Sequence, residues 1–367
     1  MGSAPAGVST IPAATVAALG HQESWSQLAA TVRALRTPAR TALTDAELRE
    51  IVPWIPPRTV SRFTFAAAPD APAVGGIYID TFITPDELAR GPTRLVLDKV
   101  RDAIRAARRE GVRLATLGGF TSILLEGTGV ESDGDLALTT GNSLTAALIV
   151  HGVERAVELL GRRLEAETLL VIGATGDVGS ACARCFAGRT RRLLLAARNR
   201  ARLDCEAQQL RQLGPVDAST DVTELLGQAS VVVAVASSAE GAFALAACAP
   251  EAVVCDAGYP KNIRVAPGAV GGRRVFWGGM GVLAGGLKSH DGFLEQFYRF
   301  PVANAAHGCM LEGLVLAMAG RFEPFSSGRG RITPGRVDEM WRLARRCGVS
   351  LAPLFDGAGF WAEELTA

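Results

Sequence analysis

Lysine is almost missing from this 367-residue sequence: Lys99, Lys261 and Lys288 are the only three among 38 basic residues, and arginine makes up the rest. Beside the many alanines this imbalance reads as a bias of genome composition, from which no function follows. An excess of either charge is missing too, because 38 basic and 37 acidic residues leave a formal net charge of +1. A global basic field for nucleic acid and an acidic tail for a polycation are therefore unsupported. The seven cysteines are odd in number and scattered, so they form no disulfide framework and point to a reducing cytoplasm. Four histidines, His21, His151, His290 and His307, lie far apart with no H-x-x-H or repeated C-x-x-C spacing, and no metal site is expected. No run reaches 18 uninterrupted apolar residues, and the opening MGSAPAGVSTIPAATVAALG has no basic segment. Neither a membrane span nor secretion is expected, and the expected location is the cytoplasm.

What the sequence does have is apolar mass: 48% hydrophobic residues and a mean hydropathy of +0.21 support a large buried core. One large domain or two ordinary ones fit the length. Residues 1–55 are Ala/Pro-rich, with one helix expected over about Ser24 to Leu35 and a break at Pro53, Pro56 and Pro57; they read as an N-terminal extension or cap. From Val60 the pattern gives a strand (VSRFTF), a second strand (GGIYIDTFI) and a helix over about Pro92 to Glu110 closed by Gly111. A strand-like RLATLGGFTSILL, a loop from Gly127 to Asp135 and a long helix from about Ser143 to Leu164, capped by Asn142 or Ser143, follow. Beyond that helix, TLLVIG, RRLLLAA, SVVVAVA, AVVCDAG and RRVFW alternate with helical stretches, the rhythm of a parallel sheet covered on both faces. Two more helices are expected near Val302 to Ala319 and Gly335 to Cys347. The fold expected is therefore α/β, a doubly wound domain over 151–299 that includes the linking helix, beside a separate α/β substrate domain over 56–150 completed by 300–367.

The sharpest local signal is LLVIGATGDVGSACARCF, an apolar strand, then Gly173, Gly176 and Gly179, then a helix. Glycines suit a tight turn, a close backbone approach to a pyrophosphate and close helix–strand packing, with the helix amides facing the anion. A Rossmann-type dinucleotide site follows, with Gly173, Thr175, Gly176, Asp177, Val178 and Gly179 as its candidate residues. The second strand ends in Arg198, Asn199 and Arg200, where an NAD enzyme usually carries Asp or Glu for the ribose 2′-hydroxyl. NADP(H) is preferred on that ground, with Arg198, and after it Arg200, as the candidate phosphate contacts and Asn199 as a further cofactor-binding residue. Ser237, after VVVAVA, is placed near the middle or nicotinamide half of the cofactor.

GGFTSI (118–123), TTGN (139–142), VIGATGDVGSA (171–181), AARN (196–199), AGYPKN (257–262), the helix of Cys309 and FSSGRGRIT (325–333) resemble the long-chain acyl-(acyl-carrier-protein) reductases, in the family's order and over about residues 55–355. The resemblance implies NADPH-dependent reduction of a fatty acyl thioester to a fatty aldehyde through an acyl group held on one cysteine, and Cys309 matches that position. A thiolate exchanges readily with a thioester, which suits the role. Carrier protein or coenzyme A would bring the acyl group, and an aldehyde-consuming enzyme is an implied partner. Glu312, one turn after Cys309, matches a family glutamate; Tyr259 and Lys261 of AGYPKN are candidate acid or phosphopantetheine contacts. Phe120, Thr121, Ser122, Thr140 and Asn142 are candidate substrate-pocket residues, able to offer donors where charge develops on the acyl oxygen. The sequence departs from the family at Trp277-Gly278-Gly279, in the segment after it, and at His307-Gly308-Cys309-Met310. Two other readings remain: a shikimate-dehydrogenase-like carbonyl or imine reductase without a covalent intermediate, and a non-catalytic NADP(H)-binding scaffold.

Overall fold

A computed structural model describes residues 12–22, 24–35, 43–84, 93–119, 121–122, 132–236, 243–259, 261–264, 272–297, 300–328, 330–357 and 359–365. The first strand lies where the sequence suggested only an extension. β1 (Ala14–Gly20) pairs in parallel with β3 (Val74–Asp80) on one side and β4 (Leu114–Leu117) on the other. With β2 (Arg58–Phe65), β5 (Ser132–Asp133), β6 (Leu136–Thr139) and β16 (Leu287–Ser289), it builds a sheet of order β16-β2-β3-β1-β4-β6-β5. The Ala/Pro-rich appearance of residues 1–55 hid this strand, because TVAALG is short and its alternation is masked by alanines buried on both faces. Residues 14–20 are thus the middle of a core sheet. β6 (LALT) lies between the expected loop and the expected long helix, where no strand was expected, and the strand read as RLATLGGFTSILL ends at Leu117.

The helix Thr93–Arg109 covers one face of this sheet, where Val100, Ala103, Ile104 and Ala107 meet Ala17, Leu19, Ile77, Ile79, Ala115 and Leu117. On the other face Val16, Ala18, Tyr78 and Leu114 belong to a larger core. There the helix Gly308–Met318 packs on β1 and β4 and against the long helix Asn142–Leu159, which in turn packs on the second sheet.

That second sheet holds β7 (Thr168–Ile172), β8 (Arg192–Ala196), β9 (Val216–Ser219), β10 (Val231–Ala234), β12 (Val253–Asp256) and β14 (Arg274–Trp277), in the order β9-β8-β7-β10-β12-β14 and parallel throughout. Counted within the domain this is 3-2-1-4-5-6, the doubly wound dinucleotide-binding order, with its switch point between β7 and β10. A two-residue pair, β11 (Phe243–Ala244) with β13 (Ile263–Arg264), lies beside it. β15 (Met280–Leu283) pairs with β17 (Ala305–His307) and β18 (Val349–Leu351). One contiguous set of buried side chains runs from Val16 and Ala18 through Leu144, Leu148 and Leu311 to Leu169 and Val171. The two sheets therefore share a core, where two separate ones were expected.

Two helix starts differ from expectation. The long helix is capped by Gly141 at φ 73°, and it ends at Leu159. The helix expected from Val302 starts at Gly308, because β17 intervenes and Asn304 sits at φ 59°, outside any helical path.

At the carboxyl edge of the first sheet is a buried polar cluster. Asp80 accepts from Phe82 N–H at 2.7 Å and from the Gln22 amide, while Lys99 Nζ donates to Val52 O and Phe82 O at 2.9 Å each. Burial pushes the Asp80 carboxyl up to about 6, against the pull of these donors. Gln22 Oε1 is buried with no hydrogen-bond partner among the described residues, and a protonated Asp80 can donate to it once the amide is turned over.

Two outcomes check this architecture. Leu19→Ala removes a fully buried β1 side chain and costs about 3 kcal/mol in chemical denaturation; a cost below about 0.5 kcal/mol would fit an appended arm instead. Asp80 has a raised folded-state pKa, so its contribution is fullest at low pH and is lost as pH rises through about 6. The stability difference between wild type and Asp80→Asn should therefore move in favour of wild type by up to about 3 kcal/mol as pH falls from 7 to 4.

Candidate functional site

The glycine-rich turn joins β7 to the helix Asp177–Phe186. Gly173 has φ 89°, and a Cβ there would lie 2.9 Å from Ala236 N; a Cβ on Gly179 would lie 2.1 Å from Gly173 O. Gly176 is the N-cap and brings no side chain, so the first amides of the helix face outward at the switch point. Such a bare cradle fits the pyrophosphate of a dinucleotide. Thr175 and Val178 are half-buried on the turn. Asp177 is buried and does a different job: its carboxylate accepts from Asn142 Nδ2 at 2.8 Å and from Gly330 N–H at 3.2 Å, tying the turn to TTGN and to FSSGRGRIT.

At the end of β8, Asn199 Oδ1 caps the next helix by accepting from Arg202 N–H at 3.0 Å, and Arg200 pairs with Asp204 at 2.9 Å. Arg198 is exposed there and enters no ion pair among the described residues. Ser237 lies outside the described residues, as does Phe120.

Cys309 is the second residue of its helix, and that helix meets the long helix tip to tip. A Cβ on Gly141 would lie 2.3 Å from Cys309 Cα, and one on Gly308 would lie 2.7 Å from Thr145 Cα. Only glycine lets the two N-termini approach this closely. Thr116 Oγ1 donates to Cys309 O at 2.5 Å, fixing the turn to β4. Burial pushes the Cys309 thiol up, while N–H groups of Gly119, Met310 and Cys309 itself pull it down and the Glu312 charge opposes them. The half-buried sulfur thus has backbone donors ready for negative charge.

Glu312 is fully buried, and it is not on the cavity wall. It accepts from Thr139 Oγ1 at 2.5 Å, Leu144 N–H at 2.9 Å and Ser326 Oγ at 3.0 Å. It positions the two helix tips and holds the FSSGRGRIT loop against them; burial raises its pKa. Thr140 donates its N–H to Ser326 O, and its own buried hydroxyl lies off the cavity with no hydrogen-bond partner among the described residues. Thr121 and Ser122 donate back to Gly118 O and Gly119 O at 2.8 and 2.9 Å, closing a turn whose Ser122 reaches the cavity wall.

A single cavity of about 210 Å³ brings Cys309, Tyr259, Lys261, Ser122 and Asn142 together with Gly176, Asp177, Val178 and Gly179. Tyr259 stands between two imidazoles, with ring centroids 5.0 Å from His21 and 6.3 Å from His307, both edge-on. Lys261 Nζ donates to Asp256 O at 3.1 Å and lies 5.1 Å from the centre of the Trp277 ring. Burial lowers His21 to about 4; burial and the Lys261 charge lower His307 to about 3. Both rings are neutral at physiological pH. Neither was singled out in the sequence as part of the site: His21 follows the strand hidden in the N-terminal segment, and His307 stood out only as a departure from the family beside Cys309.

Among the described residues no helix is long and apolar enough to cross a membrane, and no cluster of three or more His, Cys, Asp or Glu residues could hold a metal ion.

No protein-family model matches the chain. The aminotransferase PigE of a Serratia species is 26% identical over 270 residues, covering 71% of this chain and 30% of that protein. Among solved structures, a mycobacterial protein complexed with NADPH aligns over 58% of this chain and 53% of its own at 14% identity and a TM-score of 0.30. Dipicolinate synthase A chain from Bacillus subtilis aligns over 73% and 88% at 12% identity and a TM-score of 0.35. The long-chain acyl-(acyl-carrier-protein) reductase of Synechococcus elongatus is 32% identical over 312 residues, covering 80% of this chain and 87% of that protein. At that identity and coverage the chain belongs to the long-chain acyl-(acyl-carrier-protein) reductase family.

Proposed function

We propose that this protein reduces a fatty acyl thioester, delivered on acyl carrier protein or coenzyme A, to a fatty aldehyde with NADPH, through an acyl group carried on Cys309. The observation that supports it most is that Cys309 and the glycine-rich turn line one cavity. A nucleophile and a dinucleotide cradle sharing a cavity suit two successive reactions at one carbonyl carbon. The sulfur attacks the thioester carbonyl, the carrier thiol leaves, and the acyl group remains on Cys309. NADPH, when bound, supplies the hydride that releases this group as aldehyde.

The residues divide the remaining work. Backbone N–H groups at the Cys309 helix start and at Gly119 stabilise negative charge on the sulfur when it is expelled. Tyr259 and Lys261 stand at the carboxyl edge of the second sheet, placed to contact the acyl oxygen or the phosphopantetheine arm. Arg198 and Asn199 mark the adenosine end, where exposed Arg198 offers its guanidinium to a 2′-phosphate. Residues 56–150 with 300–367, joined by β1 and β16, act as the substrate-handling part, and the rest of 151–299 as the cofactor-handling part. An aldehyde-consuming enzyme would take the product, and a cytoplasmic setting suits a working thiol.

Intact-mass spectrometry tests the covalent step. Incubated with a long-chain acyl thioester in the absence of NADPH, wild type should gain one acyl mass and Cys309→Ala should gain none. An unmodified wild type that still binds NADPH would refute the reading in favour of direct reduction or a scaffold. For the cofactor, Arg198→Ala should weaken NADPH binding by about 10- to 100-fold in a fluorescence titration and leave NADH almost unchanged; equal loss for both would remove Arg198 from the phosphate site.

A further inference from the structure

Resting on the reading of Cys309 as the acyl acceptor, we infer that His21 is the base that takes the Cys309 thiol proton and hands it to the departing carrier thiol. His21 stands at the carboxyl end of β1 and lines the same cavity as Cys309. Its Nδ1 faces Gln22 O at 3.3 Å, an arrangement that places the ring proton on Nδ1 and makes Nε2 the basic nitrogen. Nε2 abuts the Gly118–Gly119 turn, where a Cβ on Gly119 would lie 2.6 Å from it. The Cys309 sulfur abuts the same turn, 3.8 Å from where a Cβ on Gly118 would be, and it is also faced by the Gly119 N–H. Gly119 holds φ 57°, a conformation suited to glycine, and this two-residue turn is touched both by His21 Nε2 and by the Cys309 sulfur.

Other titratable groups around Cys309 suit the role less well, and the Asp177 carboxylate is held by Asn142 and Gly330. His307 is at the N-terminus of the Cys309 helix and near Lys261, and both disfavour a cation on its ring. The Glu312 carboxylate is spent on Thr139, Leu144 and Ser326. Tyr259 meets His21 edge-on, and Lys261 donates to Asp256 O.

Because burial raises the thiol and lowers the imidazole, the resting pair is neutral, and the proton moves only as the new carbon–sulfur bond forms. The Cys309 S–H bond breaks, its proton goes to Nε2, and the sulfur bonds to the thioester carbonyl carbon. When the carbon–sulfur bond to the carrier breaks, the same proton goes from Nε2 to the carrier sulfur. His21 is neutral at both ends and nothing is oxidised or reduced.

The test is the single-turnover rate of acyl-adduct formation, read by rapid-quench intact mass without NADPH, for wild type, His21→Ala, His21→Gln and His307→Ala. NADPH binding by fluorescence reports whether each variant is folded. Adduct formation should slow by about 100-fold or more in both His21 variants, and free imidazole should restore the rate of His21→Ala in a concentration-dependent way without helping His307→Ala. Equal rates in wild type and His21→Gln, or imidazole rescue of His307→Ala in place of His21→Ala, would overturn the assignment. Absence of an adduct on wild type would instead strike the acyl-enzyme reading on which this one rests, so the two failures are distinguishable.

Discussion

The contact on which the site depends is the tip-to-tip meeting of two helix N-termini at Gly141–Cys309 and Thr145–Gly308, closer than any side chain at either glycine would allow. Two such ends carry unsatisfied N–H groups and like partial charges, so their approach needs a compensating acceptor. Glu312 supplies it from inside the protein, accepting from Leu144 N–H at the start of one helix while rooted in the other. Ser326 joins the same carboxylate and Ser143, which brings the FSSGRGRIT loop into the knot. A group one turn from the nucleophile thus sets where the nucleophile sits without entering the cavity.

A second knot ties this assembly to the nucleotide cradle. Asp177 opens the helix of the glycine-rich turn, yet its carboxylate is turned toward Asn142 and Gly330. The cradle cannot shift relative to the Cys309 tip without breaking buried hydrogen bonds to a charged group, worth about 1.5–3 kcal/mol each. Transfer between a bound dinucleotide and a carbonyl on Cys309 needs such fixed spacing, since rate falls steeply with small misplacement. The shared hydrophobic core, continuous through the Asn142–Leu159 helix, points the same way.

The sequence was most readable where local rules act. The βαβ rhythm, the three glycines and their helix, and the strands β7, β8, β10, β12 and β14 stand where periodicity and turn chemistry put them, because each is determined within about 20 residues. β1 was not legible: TVAALG is decided by its two partners, β3 and β4, about 60 and 100 residues away, and alanine alternation leaves no trace of which face is which. Glu312 and Asp177 were found as motif residues, but their partners lie about 170 and 35 positions off in sequence, and spacing alone cannot separate a residue that touches the cavity from one that holds its walls. His21 fell outside every local pattern for the same reason as the strand that presents it.

Electrostatics follow from this geometry. Beside a lysine the cavity holds two neutral imidazoles and a half-buried thiol, and desolvation acts on these three groups in the direction that removes charge. A site of this kind is inert at rest, since a protonated thiol between neutral rings neither attracts metals nor oxidises readily. In the proposed reaction charge would appear only when a thioester arrives and its carbonyl becomes an acceptor of electron density, and the N–H groups of Gly119 and Met310 face the sulfur that would then leave as an anion. Raising the thiol's pKa and surrounding it with fixed donors are therefore compatible demands: burial suppresses idle reactivity, and preorganised backbone dipoles stabilise charge when it forms without reorganising at that moment.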